Sequence, residues 1–258
     1  MKFETIRSII LRIHKIIFTR KYSCRRIMTQ RIKKKSSVVA VQKAYDYIKH
    51  SIIEFELRPG SRINEVELAA TLDMSRAPVR EALNRLVEIG FVTFDSGKGF
   101  FCRRFTLAEI TDLYEVRFDL ETASIKKACE KHDDPAVTAL REYWQTIAGS
   151  QSSMTIEALI SADEDFHLFL ANIAGNAERT KLLENIYERI RFVRRINIEK
   201  EPRRTNFVKE HLLMIQAVLD NDPEKASELM ALHLGANSAE LHANIREGLA
   251  RIYAEDLQ

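Results

Sequence analysis

Apolar residues recur at helical spacing over most of the chain. In VVAVQKAYDYIKHSIIEFEL, which starts at residue 38, they occupy positions 41, 44, 45, 48, 52 and 53, and the segment stops at an Arg-Pro-Gly turn signal. INEVELAATLD and SRAPVREALNRLVEIGF predict two shorter helices, with Ser75 as a helix N-cap and Gly90 as a stop. FVTFDSGKGFFCRRF predicts two strands joined by a glycine-rich turn. Three helices followed by a hairpin predict a winged helix-turn-helix over residues 38–105.

After Phe105 the strand pattern does not return. Thr106 is positioned to cap a long helix, and further helical patterns are separated by Asp-Asp-Pro, Gly-Ser, Gly-Asn, Glu-Pro and Asn-Asp-Pro. Short connections between helices are typical of antiparallel neighbours. The sequence therefore predicts a mainly α protein, in which residues 106–258 form an all-helical antiparallel bundle. The later helices are expected at 134–149, 154–174, 177–199, 204–220 and 223–250.

Charge divides the chain into three segments. Residues 1–37 carry 12 Lys and Arg against the single acid Glu4, residues 38–105 are nearly balanced, and residues 106–258 carry 18 basic against 27 acidic side chains. The first segment fits either a basic arm that follows DNA phosphates or a membrane surface, or a start misassigned upstream of Met28. We favour the second interpretation, because RIKKKSS after Met28 already resembles a flexible leader.

Composition excludes several classes of protein. With 45% hydrophobic and 30% charged residues, the 258-residue chain is not expected to be disordered. No window approaches the 18 or so uninterrupted apolar residues of a transmembrane helix, so we expect no membrane partner. The three cysteines are scattered and lack CxxC spacing, which argues against a disulfide framework and a cysteine zinc site. A reducing cytoplasm is the expected compartment.

The third predicted helix carries candidate DNA contacts. In a helix-turn-helix, residues near the start of the second helix of the motif reach base edges in the major groove. Ser75, Arg76 and Arg80 occupy that position, and the arginine fork matches guanine O6 and N7. The spacing alone would equally suit the solvated face of an amphipathic helix.

The surrounding sequence resembles the DNA-binding domain of the GntR family of bacterial transcription regulators. LRPGSRINEVELAATLDMSRAPVREALNRLVEIGFV contains, in order, a PG turn, an E-x-x-LA segment, an SR-x-PVREAL helix and an L-x-x-x-G-hydrophobic entry to the wing. The resemblance implies that Ser75, Arg76 and Arg80 contact operator DNA, and that Gly97 lets the wing approach the minor groove. Val66 departs from the arginine often found before E-L-A, so one DNA contact is expected to be missing.

Histidines and one aspartate form a second candidate site. Asp163 and His167 lie four residues apart on one helix face, where such pairs are commonly surface hydrogen-bonding partners. His211 and His233 each lie 11 residues from Asp222 in a predicted helical turn, so both should be about 16 Å from the turn and at one level. Three nitrogens and one oxygen would suit Zn²⁺, Ni²⁺ or Mn²⁺. The alternative is core histidines that are hydrogen-bonded to neighbouring helices.

The second half of the chain is similar to the FCD ligand-binding domain of FadR-type members of the GntR family. The likeness rests on DLYEVRFDLE, D-x-x-FH-x-x-L-x-x-x-AGN, EH-x-x-x-x-x-A-x-x-x-x-D and A-x-x-x-M-x-x-H-L. It implies a divalent metal ion held by Asp163, His167, His211 and His233. It also implies that Arg117, one turn before Glu121, helps to bind a carboxylate effector.

These observations predict a ligand-responsive DNA-binding regulator, acting as a repressor and as a homodimer, whose metal-containing domain binds a small organic acid. One alternative is a direct metal sensor, in which the ion itself is the effector. Another is a metal-dependent enzyme that activates water. The enzyme is disfavoured, because the nearest candidate acid or base, Glu164, points about 100° away from Asp163 on its helix.

Overall fold

The computed structural model describes residues 32–235 and 239–254. Within these residues the chain folds into ten α-helices and three short strands, divided between two compact units. One unit comprises Leu107–Gly248, and the other comprises the described residues up to Thr106 together with those after Gly248. Most of the basic segment 1–37 lies outside the described residues. None of the described helices combines the length and the apolarity needed to cross a membrane.

The smaller unit is a winged helix-turn-helix. Its three strands pair antiparallel in the order β1-β3-β2, with Phe94 opposite Phe100 in the hairpin. Asn64 caps the second helix, because its side chain accepts hydrogen bonds from the backbone N–H groups of Val66 and Glu67. The elements are α1 (Ile32–Ile53), β1 (Arg62–Ile63), α2 (Glu65–Thr71), α3 (Arg76–Glu88), β2 (Val92–Asp95) and β3 (Gly99–Cys102). Strand β1 is two residues long, too short to leave an alternating pattern in the sequence.

Helix α3 lies at the centre of this unit. It packs against α1, α2 and β2, and its buried face consists of Val79, Ala82, Leu83 and Leu86. The residues predicted to face DNA lie elsewhere on the helix and are exposed. The core therefore fixes the orientation of α3 and leaves its N-terminal turn open to solvent.

The larger unit is a helical bundle. Trp144, Phe166, Phe169 and Phe207 are fully buried at its centre. Side chains of Asp134, Thr155, Asn176 and Asp222 accept hydrogen bonds from backbone N–H groups in the first turns of their helices, as expected for N-caps. The helices are α4 (Leu107–Cys129), α5 (Pro135–Ser150), α6 (Ile156–Ile173), α7 (Ala177–Glu199), α8 (Glu201–Leu219), α9 (Pro223–Leu234) and the first part of α10 (Ala239–Tyr253).

One helix prediction was wrong. The pattern over 223–250 predicted a single helix, but α9 ends at Leu234 and α10 begins at Ala239. Gly235 has φ +55° and ψ +33°, the left-handed conformation in which helices commonly end. Apolar periodicity continues across this break because both helices contribute to the same bundle.

Candidate functional site

Four side chains from three helices converge inside the bundle. Asp163 and His167 come from α6, His211 from α8 and His233 from α9, and all four are buried. Each offers one ligand atom, and these atoms lie within 4.8 Å of one another. The turn at Asn221 joins α8 to α9, which brings the two histidines that flank it to one level. The structure thus places together the four residues that the sequence suggested as metal ligands.

The distances at this cluster fit a metal ion. Asp163 Oδ1 lies 3.5 Å from His167 Nε2, 3.1 Å from His211 Nε2 and 3.9 Å from His233 Nε2. His167 Nε2 and His233 Nε2 are 3.2 Å apart. Ligands about 2.0–2.1 Å from a tetrahedral ion would be separated by about 3.3 Å, close to the middle of this range.

Carboxylates outside the cluster orient two of the imidazoles. His167 Nδ1 contacts Glu121 Oε2, and His233 Nδ1 lies 2.7 Å from Glu210 Oε2. A proton on the Nδ1 that faces each carboxylate would leave Nε2 with a lone pair that points into the cluster. Two lone pairs 3.2 Å apart repel each other unless a cation lies between them. The arrangement therefore suits a metal ion better than it suits hydrogen-bonded core histidines.

His211 lies in an aromatic environment. The rings of Trp144 and Phe166 are centred 4.2 and 4.1 Å from the imidazole, and its nitrogens make no hydrogen bond of good geometry to any described residue. Burial and the neighbouring His233 outweigh Asp163 and hold the pKa of His211 well below its ordinary value. A neutral imidazole with an unused nitrogen is the form that binds a metal.

Asp163 is ionised in spite of its burial. Burial raises the pKa of its carboxyl, but the Arg194 guanidinium and the neighbouring histidines outweigh this effect and hold the pKa well below its ordinary value. Arg194 Nη2 contacts Asp163 Oδ2, which leaves Oδ1 turned towards the histidines. The cluster thus offers one carboxylate and three imidazoles, a mixed oxygen and nitrogen donor set of the kind that divalent transition-metal ions bind.

Glu121 links the cluster to Arg117. Arg117 Nε donates to Glu121 Oε1 at 2.5 Å, and the Tyr187 hydroxyl donates to the same oxygen at 2.7 Å. Burial raises the pKa of Glu121, but Arg117 and His167 outweigh it and hold the pKa well below its ordinary value. Glu121 is therefore a buried anion shared by the predicted effector arginine and a predicted metal ligand.

Replacing Glu121 with glutamine is expected to lower metal affinity by about 10- to 100-fold, because the amide cannot provide the negative charge that orients His167. The measurement is competition for Zn²⁺ against a chromophoric chelator. Glu115→Gln is the matched control, since Glu115 is exposed on the same helix. Equal affinities of the two variants would show that Glu121 does not support the site.

A cavity of about 240 Å³ adjoins the cluster within the same unit. Its lining includes Asp163 and His233 from the cluster and the predicted effector residue Arg117. Typical ligand pockets have about 300–1,000 Å³, so this one would fit a small molecule. Tyr114, Arg194, Asn197 and Asn244 are polar residues of the same lining.

The sequence did not indicate Arg194, Glu210 or Tyr187 as site residues. Arg194 belongs to RIRFVRR, a basic run of the kind usually found on a solvated face. Glu210 directly precedes His211, but adjacency on a helix does not predict that its carboxylate reaches His233. Only the packing of α7, α8 and α9 brings these side chains to the cluster.

The predicted DNA contacts lie on the exposed end of α3. Ser75 is the N-cap residue but makes no side-chain capping bond, and it is exposed. The guanidiniums of Arg76 and Arg80 are 3.9 and 3.5 Å from Glu65, and their side chains are 62% and 54% exposed. These arginines are therefore available to a partner while Glu65 holds them on one side of the helix.

The wing residue predicted to approach DNA lies at the tip of the hairpin. Gly97 has φ +89°, and a β-carbon added there would meet nothing within 4 Å. A glycine is expected here because the backbone of the turn is left-handed, a conformation that residues with a side chain rarely adopt. The open space also leaves this tip accessible. Val66, which stands where the GntR family often has an arginine, is exposed on α2.

Two protein families match the chain in consecutive segments. Residues 40–102 match the family described as bacterial regulatory proteins, gntR family, and residues 112–236 match the FCD domain. The first segment falls in the winged helix-turn-helix and the second in the bundle that contains the cluster. The first family is described as regulatory proteins, and the two relatives named next as a transcriptional regulator and a transcriptional repressor, none of them as enzymes.

Relatives match about three quarters or more of the chain. The Nta operon transcriptional regulator of Aminobacter aminovorans is 35% identical over 206 residues, covering 79% of this chain and 95% of the relative. The HTH-type transcriptional repressor RspR of Escherichia coli is 23% identical over 195 residues, 75% of this chain and 85% of RspR. The solved structure of E. coli McbR/YncC has a TM-score of 0.65 at 21% identity, covering 80% and 98% of the two chains.

Proposed function

This chain belongs to the GntR family of bacterial transcriptional regulators and carries an FCD domain, and we propose that a divalent cation and a small organic acid together control its binding to operator DNA. On this proposal residues 38–105 bind DNA, residues 106–258 bind the effector and form a homodimer, and the protein acts in the cytoplasm. The relative RspR is called a repressor. We propose the same direction of control here.

The observation that carries this proposal is the convergence of four ligand atoms beside a cavity. Asp163, His167, His211 and His233 would hold the ion, and the cavity borders two of them. Their mixed nitrogen and oxygen donors suit Zn²⁺, Ni²⁺ or Mn²⁺ without choosing among them. When bound, the ion would supply a Lewis-acidic positive charge that attracts a carboxylate.

Arg117 would take part in binding that carboxylate. It is 5% exposed and lines the cavity. Its guanidinium carbon is 5.6 Å from the centre of the Tyr114 ring and 5.2 Å from the centre of the Tyr187 ring. Its Nε is used by Glu121, which fixes the plane of the guanidinium. Fixing an arginine in advance lowers the entropy cost of binding a carboxylate.

On the DNA side, Ser75, Arg76, Arg80 and Gly97 would contact the operator. In a homodimer the two recognition helices must match half-sites about one helical turn of DNA apart. An effector that favours a different placement of the two helices weakens operator binding. A coupling of about 1–3 kcal/mol would lower affinity by roughly 5- to 150-fold.

The test uses the full chain and an operator selected from a random duplex library. Operator affinity is measured by fluorescence anisotropy after chelation, after reloading with Zn²⁺, and then with sugar acids, dicarboxylates and fatty-acid derivatives added in turn. The proposal expects at least one acid to weaken operator binding by the Zn²⁺-loaded protein and to have no effect on the chelated protein.

A different response would identify the direct metal sensor. If Zn²⁺ alone released the operator, and no acid changed the affinity further, the ion itself would be the effector and the acid-binding proposal would be wrong. Sedimentation of the complex measures the stoichiometry. One chain per operator would contradict the homodimer.

A further inference from the structure

Arg194 is a buried arginine of the cavity lining, and two of its guanidinium nitrogens make no hydrogen bond to the described residues. It projects from α7 and is 3% exposed. Nη2 contacts Asp163, and Nη1 lies 3.4 Å from Glu164 Oε1 without making a hydrogen bond. Nε also lacks a hydrogen-bond partner among the described residues. Since buried donors without partners are costly, these two nitrogens call for an acceptor.

The wall beside Arg194 offers donors. Asn197 lies three residues further along α7 and so close to the same face. Its Oδ1 accepts from Asn244 Nδ2 at 3.2 Å, while Asn244 Oδ1 accepts from Lys200 Nζ at 2.5 Å. Each amide oxygen already accepts one hydrogen bond from a neighbouring side chain, and the Asn197 amide NH₂ remains as a donor. A wall of donors selects a group that only accepts, such as a carboxylate.

Buried charge around the cavity points to a ligand with two negative groups. Arg117 and Arg194 are balanced by Glu121 and Asp163, all at most 6% exposed. A divalent ion in the cluster would add two uncompensated positive charges.

The other acidic side chains near the site compensate little of this added positive charge. Glu164 is paired with Arg191 at 2.6 Å, while Glu210 beside His233 has a one-third exposed side chain, and Glu240 is an exposed residue of the lining. Water screens the last two. The excess positive charge is therefore concentrated where the cavity meets the cluster.

From these contacts we propose that Arg194 is a second anion-binding residue of the cavity, and that the effector is a small acid with two carboxylates. This inference rests on the proposed function, in which the ion and Arg117 bind one carboxylate. Arg194 and Asn197 bind the other. Arg194 thus determines specificity, because a monocarboxylate leaves its donors unpaired in a buried site.

The experiment compares matched acids on the full chain loaded with Zn²⁺. The pairs are succinate with butyrate, malate with 2-hydroxybutyrate, and 2-hydroxyglutarate with 2-hydroxypentanoate, in each of which a carboxylate is replaced by a methyl group. Affinities are measured by isothermal titration calorimetry. The diacid of at least one pair is expected to bind about 10- to 100-fold more tightly, the size of a charge-assisted hydrogen-bonded contact.

Arg194→Gln should remove this preference by weakening diacid binding, while the monoacid binds as before. It should still take up one equivalent of Zn²⁺, because all four ligands remain. Arg195→Gln is the matched control: Arg195 is next to Arg194 on α7, its half-exposed side chain pairs with Glu157 at 2.7 Å, and it is not part of the cavity lining. This control should keep the preference.

Asn197→Ala provides a second test, in case Arg194→Gln fails to fold or to load with metal. It should lower diacid affinity by about three- to tenfold and leave the monoacid unchanged. Equal binding of both members of every pair by the unmodified protein would overturn the inference while leaving the proposed function intact. An unchanged diacid preference in a metal-loaded Arg194→Gln would do the same. If no carboxylic acid of either class bound, the acid effector and this inference would both be wrong.

Discussion

Replacing Arg76 and Arg80 together with alanine is expected to lower operator affinity by about 30- to 25,000-fold. Each bidentate arginine–guanine contact contributes about 1–3 kcal/mol of discrimination, and the two arginines proposed to make such contacts are on neighbouring turns of one helix. Loss of both also leaves the Glu65 carboxylate without the two guanidiniums that lie 3.9 and 3.5 Å from it. Fluorescence anisotropy at one fixed salt concentration measures the effect, since affinity for DNA varies steeply with salt.

The matched control for this double variant is Arg85→Ala. Arg85 lies on the same helix, but its guanidinium is 3.2 Å from Glu81 and it occupies the last turn, away from the N-terminal end. It should change operator affinity by less than about threefold, as expected for a residue that contacts no base. If Arg85→Ala weakened binding as much as the double variant did, α3 would not be the helix that reads the operator.

Replacing His211 with alanine is expected to lower Zn²⁺ affinity by about a hundred- to a thousandfold. Structural zinc sites have apparent binding free energies of about 10–16 kcal/mol, so one of four ligands accounts for roughly a quarter of that. The loss should be large at this position because Trp144 and Phe166, which pack around the imidazole, offer no replacement ligand. Competition with a chromophoric chelator measures the affinity.

Thermal unfolding gives a second readout of the same variant. A ligand that binds only the folded state raises the melting temperature with its concentration. The unmodified protein should therefore be stabilised by added Zn²⁺, whereas His211→Ala should respond weakly. His242→Ala is the control, since His242 lies in the same unit on α10 and is not one of the four ligands. Equal Zn²⁺ responses of the two variants would remove His211 from the proposed site.

The sequence predicted the ligand set better than the surroundings of the site. Equal spacing of His211 and His233 about Asp222 placed both at one level, and the structure brings them together with Asp163 and His167. The spacing could not show that Glu121 contacts His167, because that contact joins α4 to α6 across the bundle. The sequence also could not show that Arg194 is buried at the site, since a basic run can contain both exposed and buried arginines.

The sequence by itself determined the mainly α class, the winged helix-turn-helix and the family, because each depends on periodicity, caps and turn residues that act locally. It also fixed which residues could bind a metal or DNA. The tertiary structure alone decided the pairing of the short strand β1, the carboxylates behind the histidines and the surroundings of Arg194. These features depend on side chains that are far apart in the chain. Their energies come from burial and from paired charges, which exist only once the helices have packed.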